Sequence, residues 1–187
     1  MDRSLVTAAV LFGLLLAMPF LLPLIGSAYL SGLIIKAMLL AIAAISLDLL
    51  IGHGGMISLG HAAFVGVGAY ATAIALENGV DDIFLLLLIT LAVTGLTALV
   101  SGGLALRTSG LYFLMITLAF GQMIYFTLTS LAAYGGDDGL TLWSLATVFG
   151  SNVLQGGNGL YYLVLGTLFA TWWGVYRISR SRFGRVL

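Results

Sequence analysis

The sequence predicts an all-α integral membrane protein, a polytopic bundle of about six transmembrane helices with N and C termini cytoplasmic. Three observations predict it. Charged residues make up 7% of the chain and apolar residues 61%, where a soluble domain carries about a quarter charged. Apolar runs recur at the length of about 20 residues that a helix needs to cross the hydrocarbon core. Basic and acidic residues alternate between successive connections, as topology signals do. A chain this apolar has too few polar residues to coat a soluble surface, so its surface faces lipid. The formal net charge is zero, so overall charge steers no nucleic acid. The chain has no Cys, which excludes a disulfide framework, a thiol nucleophile and a cysteine metal site.

The first span covers about Ser4 to Ile25. Asp2 and Arg3 precede it as in a signal peptide, but the run is too long, and Pro19 and Pro23 sit near its end. It reads as a retained anchor. The second span, about Ala28 to Ile51, holds Lys36, Ser46 and Asp48. The third, about His61 to Leu76, is short and rich in small residues. The fourth, Ile83 to Leu106, is the cleanest, the fifth covers about Gly110 to Ala133, and the sixth about Gly159 to Ile178. Arg3, Arg107 and the group Arg177, Arg180, Arg182 and Arg185 then fall on one side. Glu77, Asp81, Asp82, Asp137 and Asp138 fall on the other. Basic loops stay cytoplasmic, so the acidic ones lie outside. A five-span count breaks this agreement, which is why residues 28–76 count as two crossings. Trp172, Trp173 and Tyr176 precede the terminal arginines, as interfacial anchors do.

Small residues mark close helix contacts in lipid. Thr94, Ala98 and Gly102 in the fourth span, and Gly66, Ala69 and Ala73 in the third, are read as packing stripes. The 25 glycines also fit bent or interrupted helices around a substrate.

Polar residues at membrane depth carry the functional signal, because a carboxylate there costs a few kcal/mol and needs a partner, water or the bundle interior. Asp48 is either such a residue or a helix-end acid reaching the interface. Lys36, twelve positions earlier, lies roughly 18 Å away at 1.5 Å per residue. It cannot pair with Asp48 and is expected to snorkel. The segment Ile51–His61 holds four Gly in its first ten residues, poor helix material. It is either a broken helix or re-entrant element lining a path, or a cytoplasmic turn. His53 and His61 are eight apart, with Asp48 the nearest acid, so no metal site is expected, and His61 reads as a hydrogen-bonding or capping residue. Thr117 is expected to bond back to its own helix. Gln122 carries an amide that needs a partner and is expected to face the interior.

The outer loop, 134–158, is 25 residues long. It is either a docking surface for an extracytoplasmic partner or a plain surface loop, and residues 141–149 could form a short amphipathic helix. The sequence holds no Gly-x-x-x-x-Gly-Lys-Ser/Thr motif and no placed hydrolytic set, so catalysis within the chain is not expected.

Three stretches in order carry a family resemblance. The first is Ser46-Leu47-Asp48-Leu49-Leu50-Ile51-Gly52-His53-Gly54-Gly55-Met56-Ile57-Ser58-Leu59-Gly60-His61-Ala62-Ala63-Phe64, continuing through Gly66, Gly68, Ala69 and Tyr70. The second runs from Gly110 to Gln122, and the third is Gly135-Gly136-Asp137-Asp138-Gly139-Leu140. Together they resemble permeases of the branched-chain amino acid ABC importers, of the LivM-like type, over roughly residues 30 to 187.

The resemblance implies a permease subunit in a bacterial inner membrane, carrying leucine, isoleucine or valine. It implies a second permease subunit, two cytoplasmic ATP-binding subunits and an extracytoplasmic substrate-binding protein. ATP is used by those partners, and no cofactor is expected in this chain. Asp48, Gly52, Gly54, Gly55, Ser58, Gly60, His61, Thr117 and Gln122 become path or motif candidates. Gly135, Gly136, Asp137, Asp138 and Gly139 become candidates for docking the binding protein. Residues 1–187 read as one permease domain, the N-terminal portion of a longer one, because Ser181–Leu187 resembles the entry to a coupling loop through which relatives continue. Met56 stands where many relatives carry a polar Gln. Alternatives are a permease for urea or short amides, and a non-transporting membrane fragment.

Overall fold

A computed structural model describes residues 7, 10–19, 28–52, 55–131, 134, 136, 146–147 and 157–181. His53, Gly54, Gly135, Asp137, Asp138 and Gly139 lie outside these, as do Arg3, Pro23, Arg182 and Arg185. The described residues form six helices and no named strand: α1 (Val10–Pro19), α2 (Ala28–Gly52), α3 (His61–Glu77), α4 (Ile83–Ala105), α5 (Leu111–Thr129) and α6 (Gly157–Arg180). Among the described residues, Tyr29–Gly52, Ile83–Ala105 and Leu111–Thr129 are long and apolar enough to cross a membrane. α1 and α3 are shorter apolar helices. α6 is long, with 24 residues, and mixes its apolar residues with Tyr, Trp and Thr.

Two compact units divide the chain, Met1–Ser46 with Gln155–Leu187, and Leu47–Leu154. In the first unit the core is Met38 of α2 and Tyr161, Val164, Leu165 and Leu168 of α6, with Phe12, Leu15 and Met18 of α1 packed against it. Tyr161 is the most buried side chain among the described residues, 2% exposed. Its hydroxyl donates to the Leu15 carbonyl at 2.7 Å. That carbonyl needs the donor: its helical partner four residues on is Pro19, which has no N–H. Water is scarce in such a core, so an unmet carbonyl is costly. Tyr161→Phe is therefore expected to cost about 1–3 kcal/mol, read as earlier unfolding in mixed detergent micelles. Tyr162→Phe, at a neighbouring exposed position, should leave the transition in place.

The aromatic residues expected at the border do cluster. Trp172 and Tyr176 stack at 5.6 Å, Phe12 meets Phe169 edge-on at 5.3 Å, and the Arg177 guanidinium lies 5.4 Å from the Trp173 ring centre. A cation over an aromatic face is a favourable contact even at an exposed site.

The second unit is built on α3, α4 and α5, with α3 against both others. Gly68 lets α4 come close: a Cβ there would sit 3.4 Å from the Thr90 methyl. Beside it the Thr72 hydroxyl donates to the Gly68 carbonyl at 2.8 Å and pairs with the Thr90 hydroxyl at 2.8 Å. Small residues and interhelical hydroxyl bonds are what join helices when lipid removes the hydrophobic drive. Ala75, Leu76 and Leu86 close the α3–α4 end. Leucines point outward instead: Leu96 is 72% and Leu99 77% exposed, the surface a lipid-facing helix presents.

The packing stripes need correction. Gly66 meets Leu128 of α5 and Ala73 is buried, but Ala69 is exposed. Thr94 stands beside Gly68 of α3, where a Cβ would lie 3.9 Å from its methyl, and with Ala98 and Gly102 it also lines a cavity. The amphipathic helix considered for 141–149 falls mostly outside the described residues, and at Thr147 the backbone bridges Asp82 instead. Thr147 N–H donates to the Asp81 carbonyl at 2.7 Å, and Ile83 N–H donates to the Thr147 carbonyl at 3.0 Å.

Candidate functional site

The glycine-rich segment decides the site. α2 ends at Gly52, and Gly55, with φ +61°, donates its N–H to the Ile51 carbonyl at 3.2 Å. A left-handed residue returning one bond to the last turn is a helix stop, and glycine adopts it without steric cost. Residues 55–60 then run without helix until α3 starts at His61. They pack along α5. Leu59 N–H donates to the Thr117 hydroxyl oxygen at 3.3 Å. Thr117 donates in turn to the Leu114 carbonyl of its own helix at 3.0 Å, as expected of it. Thr117 is six residues past the start of α5 at Leu111, roughly 9 Å along the axis. The segment therefore runs well up the helix flank. Of the two readings considered for it, this geometry favours the interrupted helix over a simple turn.

Gly60 is where the two backbones meet. It is buried, and a Cβ on it would lie 2.4 Å from the Thr117 carbonyl oxygen. A Cβ on Gly121, one turn on, would lie 3.4 Å from the Gly60 Cα. Gly60 is needed for the approach, and Gly121 leaves room for little more than a contact beside it. Thr117 holds it by hydrogen bond, so Thr117→Val, which keeps the shape but removes the oxygen, leaves Leu59 N–H unmet. The expected cost is about 1–3 kcal/mol, measured as a lowered unfolding midpoint. Thr127→Val, at an exposed position on the same helix, serves as the control.

Beside this crossing lies a cavity of about 510 Å³, bounded by the segment, the start of α3, and α4 and α5. Its lining is apolar and aromatic, with Leu91, Phe64, Phe113 and Phe120 prominent. Ser58, Gly60, His61 and Thr117, named from sequence, line it. Thr94, Ser101 and Thr117 line it too, but each hydroxyl donates to a carbonyl of its own helix: Thr90, Thr97 and Leu114. His61 is the one ionisable side chain among the lining residues, and its ring meets Phe64 edge-on at 6.3 Å. Such a space suits an aliphatic group better than a small polar one. No group of three His, Cys, Asp or Glu converges among the described residues.

The family described as branched-chain amino acid transport system / permease component matches residues 29–187. The chain belongs to that family. It is a multi-pass membrane permease component of a multi-subunit transport system, and the family is one of transport components rather than enzymes. No curated protein and no solved structure matches the chain.

In this permease component the other sequence candidates are spread out. Asp48 is exposed on α2 and does not line the cavity; a Cβ on Gly52 would lie 3.8 Å from its carboxylate oxygen. Gly55 lines a separate hollow of about 450 Å³ near the α4–α5 turn. Gln122 is exposed rather than interior; it borders a third hollow, of about 260 Å³, with Leu59 and Ala62. Helical periodicity accounts for this, since Thr117 and Gly121 are four apart and face the crossing while Gln122 is rotated about 100° from Gly121. Of the docking candidates only Gly136 is described; its N–H donates to the Leu131 carbonyl at 3.2 Å, just beyond α5. His61 is the first residue of α3, and the capping position itself is Gly60. Sequence reasoning missed the aromatic walls Phe113 and Phe120 and the α4 lining. The four-residue spacing of Thr94, Ala98 and Gly102 was the available signal for the latter.

Proposed function

We propose that this chain is the membrane-spanning permease subunit of an ABC importer for branched-chain amino acids, in a bacterial inner membrane. It works with a second permease subunit, two cytoplasmic ATP-binding subunits that use the ATP, and an extracytoplasmic binding protein. Arg3, Arg107 and the arginines after α6 lie on the cytoplasmic side in this reading, and the loop 134–158 is turned outward. The observation that carries the reading is the apolar cavity beside the Gly60–Thr117 crossing, in a chain that matches the permease family over 29–187. An aliphatic side chain leaving water for such walls gains about 1.5–3 kcal/mol. Urea has no apolar group to bury, and the Thr94, Ser101 and Thr117 hydroxyls of the lining already donate to backbone carbonyls. Ser58, Gly60, His61 and Thr117 are path residues in this reading. Asp48, Gly52, Gly54, Gly55 and Gln122 support the interrupted segment and its flanks. Gly135, Gly136, Asp137, Asp138 and Gly139 meet the binding protein.

The test is uptake of radiolabelled leucine in cells that lack their own importer and express the chain with its partner subunits. Leucine uptake that unlabelled isoleucine and valine compete away supports the reading. Uptake of urea without leucine would replace the cargo, and no uptake of either with all subunits in the membrane would overturn it.

A further inference from the structure

The central cavity has neighbouring hollows on two sides: it shares Gly121 and Ile124 with the one beside Gln122, and a second pair of residues with the one at the α4–α5 turn. The central cavity and the hollow at the α4–α5 turn are both lined by Met56 and Phe113. Along the interrupted segment, Gly55 and Ile57 belong to the turn hollow, while Ser58 and Gly60 belong to the central cavity. Along α5, Leu111 and Leu114 face the turn hollow, and Thr117 and Phe120 the central cavity. Met56 on the segment and Phe113 on α5 are the residues that border both spaces. Phe113 is 6% exposed and Met56 is half-buried. Phe113 is held rigid by burial in its wall, whereas a methionine side chain is unbranched and adaptable. The turn hollow also has Thr108, Ser109 and Gly110 in its wall, and their connection carries Arg107, a cytoplasmic signal.

We propose that Met56 and Phe113 form an apolar constriction between a cytoplasm-facing vestibule at the α4–α5 turn and the central cavity, and that their bulk controls which solutes pass. This rests on the transport reading above for its meaning, but not for its test. Apolar constrictions obstruct water and charged solutes by excluding them, without a moving plug. A flexible thioether beside a fixed ring yields to an aliphatic group and resists a hydrated ion. The assignment gives Met56 a role in limiting passage that its place in a glycine-rich run does not announce.

The chain has no cysteine, so one introduced thiol reports alone. Ser101 lines the central cavity, is 8% exposed, and accepts a cysteine of nearly its own size. The probe is a membrane-impermeant cationic methanethiosulfonate, applied to the cytoplasmic face of inside-out vesicles holding the Ser101→Cys chain. Adding Met56→Ala is expected to raise the modification rate at least about tenfold by opening the constriction. Phe113→Ala should do the same where it folds. Met56→Leu, close in volume, should stay near the starting rate, as should Ile57→Ala, which touches the vestibule only. Reagent added to the opposite face should react at one rate in all variants. Equal rates for Met56→Ala and its parent from the cytoplasmic face would overturn the proposal, and so would an equal rise in Ile57→Ala. Because labelling needs no cargo, a failed leucine uptake assay and a failed labelling assay point to different errors.

Discussion

Gly60→Ala is expected to prevent this protein from reaching its folded state in useful amounts. The added methyl would sit 2.4 Å from the Thr117 carbonyl oxygen, and backbone cannot rotate aside as a side chain does. The segment must lift from α5, which breaks the Leu59–Thr117 hydrogen bond and opens one wall of the cavity. Overpacking of this kind costs about 1–3 kcal/mol and sometimes more, and the lost hydrogen bond adds about 1 kcal/mol. Membrane-fraction yield and resistance to protease should both fall sharply. Gly95→Ala is the comparison, since a Cβ there has no neighbour within 4 Å, and it should accumulate normally. Gly121→Ala should fall between the two, its nearest contact being 3.4 Å.

The second large effect is functional rather than structural. Gly102 lies in α4, lines the cavity, and has open space where a Cβ would go. Leucine there would project into the space. It also replaces a poor helix former with a good one, favourable by about 0.5–1 kcal/mol. Gly102→Leu is therefore expected to leave the unfolding midpoint unchanged or raised while leucine uptake drops to background. Full uptake with a leucine at this position would show that solute does not use the cavity. Gly103→Leu, one residue on and outside the cavity lining, separates blockage from any general effect of bulk on α4.

How far these features could be read from the chain follows from what a sequence pattern records. Five of the six helices start and stop within a few residues of the expected bounds, because lipid imposes an apolar run of fixed length and glycines interrupt it. Thr117 bonds back to its own helix, as its hydroxyl chemistry requires. The spacing of Thr94, Ala98 and Gly102 correctly gave one face of α4. It did not give what stands opposite: Thr94 meets α3 at Gly68, while the same face also borders a hollow. The contact between Gly60 and Thr117 joins residues far apart in the chain, and nothing local in either stretch marks the other. Phe113 and Phe120 look like any apolar residue of a span until the segment is laid beside α5. Asp48 drew notice by its charge, yet it is exposed on α2 and outside the cavity lining. Rarity at membrane depth flags a residue without saying which side of the helix it occupies.

The central claim is that an aliphatic solute occupies the cavity between the interrupted segment, α4 and α5. Its most direct test is protection of a cysteine at Ser101 in the transporter assembled with its partner subunits. Leucine, isoleucine and valine are expected to slow modification of that thiol in proportion to their saturation of uptake, while urea at the same concentration leaves the rate alone. A modification rate unchanged by saturating leucine during active uptake would contradict the claim and place the path elsewhere.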